Sequence, residues 1–152
     1  MVGAAVPRES GGLVLAVESG FAILEDGKDM RMISDVEADI PGSRMNDGKC
    51  DSQGRFWAGT MDRETKEKGA ALYRLDPNHE LQTAVSNVTL SNGLGWSPDD
   101  TLMYYIDSMT RNVEVFRYDA ATGRISDRRT VIEITDDGAV PDGMTADAEG
   151  FV

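Results

Sequence analysis

The sequence contains almost none of the residues that supply the commonest nucleophilic and metal chemistries. Among its 152 residues there is one cysteine, Cys50, and one histidine, His79. A single cysteine cannot form an internal disulfide, and the two residues together cannot build a Cys/His zinc site. Catalysis by a Ser-His-Asp or Cys-His group would have to use His79, which lies in residues 76–80 (DPNHE), a composition typical of a turn. The chain is therefore expected to act through oxygen ligands and arginine.

Positive charge and long apolar runs are also scarce. Fifteen Lys and Arg residues stand against 27 Asp and Glu residues, which gives a formal net charge of −12. Such an acidic chain repels phosphate backbones and anionic lipid surfaces. The longest apolar run, residues 13–17, is far below the roughly 20 residues of a membrane-spanning helix, and no basic segment typical of a signal peptide precedes it. The sequence predicts a cytoplasmic protein with no nucleic-acid or membrane partner.

What the sequence does contain is a series of short β-strand signals. Apolar residues nowhere recur at helical spacing over the roughly 10 to 12 residues that indicate a helix. Runs of about five residues are instead separated by clusters of Gly, Pro, Asn and Asp, as in strands joined by tight turns. The strands predicted in this way are 13–17, 20–24, 30–34, 55–60, 70–75, 81–85, 102–107, 113–118 and 129–134. This pattern indicates a single all-β domain over residues 1–152.

An internal repeat refines the fold. Residues 46–57 (NDGKCDSQGRFW) align with residues 92–103 (NGLGWSPDDTLM) and with residues 142–152 (DGMTADAEGFV), and their first residues are 46 and 50 positions apart. A period of about 40 to 50 residues with four short strands per unit is typical of β-propeller blades. Because propellers close with about four to eight blades, this sequence predicts an incomplete piece of about three blades. Unpaired edges and an uncovered apolar flank should then favour association through the open blade edges.

The repeat also selects three oxygen-bearing side chains. Asn46, Asn92 and Asp142 hold the same position in successive units, just before the predicted innermost strand, and should lie around the mouth of the central channel. Amide and carboxylate oxygens are ligands of hard cations such as calcium. Each residue could instead simply shape a turn, because Asn and Asp tolerate left-handed backbone angles. The equivalent positions therefore predict part of a cation site, with a turn role as the alternative.

Five ordered motifs resemble the regucalcin and gluconolactonase family, over nearly the whole chain. They are residues 43–49 (SRMNDGK), 55–61 (RFWAGTM), 90–97 (LSNGLGWS), 104–108 (YYIDS) and 141–144 (PDGM). The resemblance implies a six-bladed β-propeller that hydrolyses sugar lactones with one divalent cation at the channel mouth. Calcium or zinc is the cation expected, with magnesium and manganese as further alternatives.

The resemblance also assigns roles to individual residues. It implies that Asn92 and Asp142 bind the metal and that Asp142 is in addition the catalytic general base. It implies that Arg44 and Asn46 bind the substrate, so Asn46 is assigned to the sugar and not to the cation. Glu64 matches a glutamate that contacts substrate in some family members.

Two features depart from the family pattern or have a simpler explanation. Residues 62–68 (DRETKEK), which include Glu64, also have the composition of an exposed charged loop. The third metal ligand of the family, a glutamate near the start of its first blade, has no counterpart here, since Glu9 lies in a predicted turn and Glu18 in a predicted hairpin. With one carboxylate and one amide, a cation should bind more weakly than at a complete site.

The sequence thus favours divalent-metal-dependent hydrolysis of a sugar lactone, a small-molecule partner, to an aldonic acid. One alternative is a non-catalytic calcium-binding propeller, which would keep Asn92 and Asp142 but would need neither Arg44 nor Asn46. The other is a related propeller esterase that acts on a different ester or on an organophosphate.

Overall fold

The computed structural model describes residues 1–64, 67 and 69–152. In this part of the chain there are twelve β-strands and one three-residue 3-10 helix. The elements are β1 (Val2–Pro7), β2 (Leu13–Val17), β3 (Gly20–Leu24), β4 (Arg31–Asp35), β5 (Ser43–Cys50), β6 (Phe56–Asp62), β7 (Ala70–Leu75), β8 (Leu81–Val88), β9 (Ser91–Trp96), β10 (Leu102–Asp107), the 3-10 helix (Ser108–Thr110), β11 (Asn112–Asp119) and β12 (Arg124–Glu133). Among the described residues, no helix has the length and apolar character needed to cross a bilayer.

The strands form three four-stranded antiparallel sheets in which spatial order follows chain order. The first sheet contains β1 to β4, the second β5 to β8 and the third β9 to β12. This is the meander of a propeller blade, repeated three times. The prediction of an all-β chain with about three four-stranded blades is confirmed.

Apolar clusters join successive sheets face to face. Between the first and second sheets, the rings of Phe21 and Phe56 meet edge to face with their centroids 5.5 Å apart. Between the second and third, Trp57 packs against Trp96 and Tyr118 at centroid distances of 6.1 and 6.3 Å. Trp57 is fully buried. Because each sheet buries one face against the next, the sheets stack as neighbouring blades around a common axis.

The turns after β5 and β9 repeat in their hydrogen bonds, and a third turn of the same kind lies at Asp147. One side-chain oxygen accepts two backbone N–H groups in each case: Asp51 from Gln53 and Arg55, Ser97 from Thr101 and Leu102, Asp147 from Glu149 and Phe151. A residue with positive φ closes each turn: Gly54, Asp100 and Gly150. The turn at Asp147 lies in residues 134–152, where no strand is assigned. The sequence repeat therefore corresponds to a repeated local structure that extends into the segment after the third sheet.

Several strand bounds differ from the predictions. β1 is not predicted, because its small residues give a weak apolar signal, yet it pairs with the strongly apolar β2. Asn46 and Asn92 lie inside the innermost strands β5 and β9 and not before them. A register shift between Met45 and Gly48 accommodates the polar Asn46 within β5.

Cys50 and His79, the two residues with reactive side chains, lie in surroundings that give them structural roles. His79 is exposed in a turn closed by a hydrogen bond from its N–H to the Asp76 carbonyl oxygen at 2.8 Å, as its sequence context predicts. Cys50 is a free thiol that packs against the cluster between the first and second sheets. Burial raises the pKa of the Cys50 thiol to about 11, so it is protonated at neutral pH and a poor nucleophile.

Candidate functional site

The site lies where the innermost strands of the second and third sheets run side by side. The Asn46 side-chain nitrogen on β5 donates to the Ser91 carbonyl oxygen on β9 at 2.8 Å. Ser91 is fully buried and immediately precedes Asn92. Asn46 is therefore hydrogen-bonded to the residue directly before Asn92, which is its equivalent in the next repeat.

Arg44 and Asn46 contact each other on β5. The Arg44 Nη1 atom donates to the Asn46 Oδ1 atom and to the Met45 carbonyl oxygen, both at 3.0 Å. Since Asn46 also donates to Ser91, both ends of its amide are held. Arg44 and Asn46 are each half-buried, so a polar ligand could still reach the unshared guanidinium N–H groups.

The other two predicted site residues lie on adjacent segments of backbone. Asn92 is buried on β9, and its side-chain nitrogen donates to the Ser108 hydroxyl oxygen at 3.0 Å. The next residue, Gly93, donates its backbone N–H to the Asp142 carbonyl oxygen at 3.2 Å. The segment that contains Asp142 therefore lies against β9, and Asp142 itself is exposed. The structure thus brings Arg44, Asn46, Asn92 and Asp142 into one region.

Glu64 lies at the end of the second sheet where Arg44 is found. Met61 pairs with Arg44 between β5 and β6, and β6 ends at Asp62, two residues before Glu64. The Glu64 backbone N–H donates to the Asp62 carboxylate at 2.8 Å, and Glu64 is exposed. Positions 65, 66 and 68 of this loop fall outside the described residues. A substrate contact for Glu64 stays a prediction.

Asp47 and Lys49 are residues of this region that the sequence reasoning missed. Burial raises the pKa of the Asp47 carboxyl, the Gly48 N–H and the Lys49 ammonium oppose that rise, and the nearby Asp142 carboxylate adds to it. Lys49 crosses to the neighbouring segment and donates to the Met144 carbonyl oxygen at 3.1 Å. Both residues belong to the motif of residues 43–49, but the sequence contains no signal that distinguishes a carboxylate near the site from a turn carboxylate.

The side-chain oxygens of the site suit a hard cation, but they are too few to form a complete set of metal ligands. In residues 1–64, 67 and 69–152, no group of three or more His, Cys, Asp and Glu side chains is arranged to hold a metal ion. The Asn92 amide uses its nitrogen for Ser108, which leaves its oxygen as the atom suited to a cation. Together with a carboxylate from Asp142, this gives the amide and carboxylate chemistry that calcium prefers. The side chains of Asn92 and Asp142 therefore have the chemistry of ligands for a divalent cation.

The two glutamates considered as a third ligand have other surroundings. Glu18 forms ion pairs with the amino terminus, at 3.7 Å, and with Arg63. Glu9 is exposed and lines an open cleft of about 650 Å³ between the first and second sheets. Cys50 also lines this cleft, and it lies at the opposite end of β5 from Arg44.

Comparison with known proteins identifies the family. A family model described as the SMP-30/gluconolactonase/LRE-like region matches residues 1–152. Regucalcin from Danio rerio is 45% identical over 99% of this chain and 52% of its own length. The chain belongs to the SMP-30/gluconolactonase/LRE-like family.

Solved structures similar to this member of the SMP-30/gluconolactonase/LRE-like family share its fold. A luciferin-regenerating enzyme superposes with a TM-score of 0.91 at 35% identity, covering 99% of this chain and 53% of that one. A calcium-binding protein, regucalcin, from Agrobacterium tumefaciens superposes with a TM-score of 0.92 at 25% identity, covering 99% and 51%. The chain spans about half the length of the curated relatives it matches.

Proposed function

We propose that this chain contributes Arg44, Asn46, Asn92 and Asp142 to a site that hydrolyses sugar lactones with the help of one divalent cation. The observation that carries the proposal is the hydrogen-bonded juxtaposition of these residues across three successive segments of backbone: β5, β9 and the segment at Asp142. Family membership supports the same reaction class, since the family description names gluconolactonase.

A lactone is a cyclic ester, so its hydrolysis requires a polarised carbonyl group, a deprotonated water and stabilisation of the developing oxyanion. A divalent cation bound by Asn92 and Asp142 would supply carbonyl polarisation and a more acidic water without any histidine. Calcium or zinc is the cation we propose, with magnesium and manganese as alternatives. This chemistry suits a chain with a single, exposed histidine.

The protein residues then have distinct roles. The exposed Asp142 carboxylate accepts the proton of the attacking water. Arg44 and Asn46 donate hydrogen bonds to the ring oxygens and hydroxyls of the sugar. Because Arg44 and Ser91 already hold the Asn46 side chain, this side chain loses little conformational freedom when the substrate binds. We also propose Glu64, on the following loop, as a further substrate contact.

The first test is hydrolysis of a panel of aldonolactones, followed with a pH indicator, with calcium, zinc, magnesium, manganese or chelator present. Asp142→Asn should lower kcat by at least about 100-fold, the contribution typical of a positioned general base. Asn46→Ala should mainly raise KM, by about tenfold for the loss of one or two hydrogen bonds. Wild-type turnover in the Asp142→Asn protein would contradict the assignment.

A matched control for the charge change is Asp137→Asn. Asp137 lies five residues before Asp142 in the same segment, its side chain is fully exposed, and it forms a long ion pair of 3.8 Å with Arg111. Its replacement removes the same charge and should leave kcat and KM unchanged. Activity that is unaffected by the chelator would point to a metal-free mechanism.

A calcium-binding protein without catalysis is the second candidate function. It is favoured by the similarity to the Agrobacterium tumefaciens regucalcin, which is described as a calcium-binding protein. Such a protein would need Asn92 and Asp142 but would have no use for the Arg44–Asn46 pair. Calcium binding with no hydrolysis across the lactone panel would favour it over the lactonase. A propeller esterase would instead hydrolyse non-sugar esters or organophosphates in the same assay.

A further inference from the structure

Ser108 joins the two segments that hold the proposed cation ligands. It is the first residue of the 3-10 helix after β10 and is 2% exposed. Its hydroxyl oxygen accepts from the Asn92 side-chain nitrogen at 3.0 Å, and its hydroxyl group donates to the Pro141 carbonyl oxygen at 2.7 Å. One buried hydroxyl thus contacts both Asn92 and the residue directly before Asp142.

The direction of these two bonds fixes the orientation of the Asn92 amide. A carbonyl oxygen can only accept, so the single Ser108 hydroxyl hydrogen must point to Pro141. The bond between Ser108 and Asn92 must then use an N–H of the amide as the donor. The Asn92 amide oxygen is therefore not used by Ser108 and is left available to a cation.

Ser108 also holds the neighbouring backbone segment in place. Pro141 and Asp142 present successive carbonyl oxygens, of which the first accepts from the Ser108 hydroxyl and the second from the Gly93 backbone N–H. These two bonds fasten the segment at Asp142 to the third sheet.

Ser108 is itself held rigidly. Its backbone N–H donates to the Leu90 carbonyl oxygen at 3.0 Å. The preceding Asp107 is 2% exposed, and its carboxylate accepts from the backbone N–H groups of Thr89 and Leu90 at 2.9 and 3.0 Å and of Met109 at 3.4 Å. The hydroxyl group is therefore fixed relative to Leu90, two residues before Asn92.

We propose that Ser108 is a positioning residue that sets the cation affinity of the site without touching cation or substrate. It presents the amide oxygen of Asn92 and fixes the backbone from which Asp142 projects. This inference rests on the proposed function, because it assumes that Asn92 and Asp142 bind a divalent cation. Partners that orient metal ligands typically change metal affinity by about 10- to 100-fold when they are removed.

The experiment measures the binding of calcium, and for the wild type also of zinc, magnesium and manganese, by titration calorimetry, together with lactone hydrolysis and thermal unfolding. Ser108→Ala should weaken calcium binding by about 10- to 100-fold, and kcat should recover at saturating calcium with little change in the KM for lactone. Ser108→Thr keeps the hydroxyl and should restore most of the affinity. If Ser108→Ala does not fold, Ser108→Cys, which keeps a similar volume but bonds weakly, takes its place.

Ser97→Ala is the matched control. Ser97 is also a buried serine, 8% exposed, and its hydroxyl oxygen accepts backbone N–H groups in the turn after β9, at the end distant from Ser108. A merely structural role for Ser108 predicts that both alanine variants lower the unfolding temperature and that both bind calcium as the wild type does.

The outcomes separate the two proposals. Calcium binding by the wild type with unchanged affinity in Ser108→Ala overturns the positioning role alone. No binding of any tested divalent cation by the wild type overturns the proposed function, and the role of Ser108 falls with it. Weakened binding in Ser108→Ala, normal binding in Ser97→Ala and recovery in Ser108→Thr support both.

Discussion

At the scale of single residues, a buried carboxylate fastens the second sheet to the third. Asp51 accepts from Arg55 Nε at 2.7 Å, from Trp57 Nε1 at 2.9 Å and from the Tyr118 hydroxyl at 2.7 Å. Arg55 is 5% exposed and also donates to Tyr118. The charges are paired and their hydrogen bonds are satisfied, which is the condition for burying them at acceptable cost.

The first stability prediction follows from this cluster. Asp51→Asn leaves the buried Arg55 guanidinium without its counter-charge and should lower the free energy of unfolding by about 3 to 5 kcal/mol at pH 7. Chemical denaturation measures the change. Asp147→Asn is the matched control, because Asp147 accepts the two equivalent backbone bonds in an exposed turn where no arginine takes the place of Arg55. It should cost only about 1 kcal/mol.

The Asp51 carboxyl also sets a pH dependence. Burial alone would raise its pKa, but hydrogen bonds from Tyr118, Trp57 and Arg55 outweigh burial and leave the pKa below its ordinary value. Its stabilising effect is therefore complete above the unfolded-state pKa of about 3.9 and is lost as the pH falls through the folded-state value. The difference between wild type and Asp51→Asn should shrink below about pH 4. A difference that grows on acidification would contradict this assignment.

The roles of the four residues that carry the proposed site can be predicted from the sequence, but the role of Ser108 in orienting them cannot. Asn46, Asn92 and Asp142 share a position in the repeat, and Arg44 belongs to the family motif. Ser108 lies in the motif of residues 104–108, but its role could not be predicted from that motif, because the role depends on a contact with Pro141 across 33 positions of sequence. Hydrogen bonds between distant residues depend on tertiary packing, on which a local pattern carries no information.

At the scale of secondary-structure elements, the fully apolar strands are predictable and the innermost strands are harder. β2 (LVLAV) and β3 (GFAIL) have the bounds that the sequence predicts. β5 contains Asn46, Asp47 and Gly48, a composition that predicts a turn entering a strand, since polar and glycine residues are depleted in strands. Pairing with β6 overrides that propensity.

The closeness of β9 to the segment at Asp142 depends on Gly93. A Cβ atom at this position would lie 2.6 Å from the Asp142 carbonyl oxygen and 2.8 Å from the Ile106 Cδ1 atom. Real Cβ atoms do not approach backbone oxygens so closely, so any side chain here must push the segment away. Gly143, in the segment itself, has open space within 4 Å of the place that a Cβ would occupy and has no positive φ.

These two glycines give a paired prediction. Gly93→Ala should destabilise the fold by about 1 to 3 kcal/mol, as overpacking does, and should break the hydrogen bond from residue 93 to Asp142. Hydrogen exchange should show faster exchange of the residue 93 amide, and calorimetry should show weaker calcium binding. Gly143→Ala should leave all three quantities close to wild type. Equal calcium affinity in the two variants would show that docking of this segment does not support the cation site.

At the scale of the whole molecule, the first sheet is apolar on both faces. Val14 and Ala16 of β2 pack toward the second sheet, whereas Leu13, Leu15 and Val17 face the other way. Ala22 and Leu24 of β3 join them, and Met32, which pairs with Ala22, is 37% exposed beside them. Strands that are apolar throughout are typical of sheets covered on both sides. This face has the character of a surface made to contact another sheet.

The last prediction concerns this face, on which Leu15, Val17 and Ala22 are buried while Leu13, Leu24 and Met32 are partly exposed. We expect the 152-residue chain to associate with itself through it, and sedimentation velocity should show a sedimentation coefficient that rises with concentration. The net charge of −12 opposes association, so added salt should strengthen it by screening. Met32→Glu places a charge on the face and should weaken association. Ile40→Glu, a similar change at a 45% exposed loop residue, should not. A cooperatively folding monomer at every concentration and salt level would mean that three sheets suffice without a neighbour. The apolar residues of this face would then serve only to pack against one another within the first sheet.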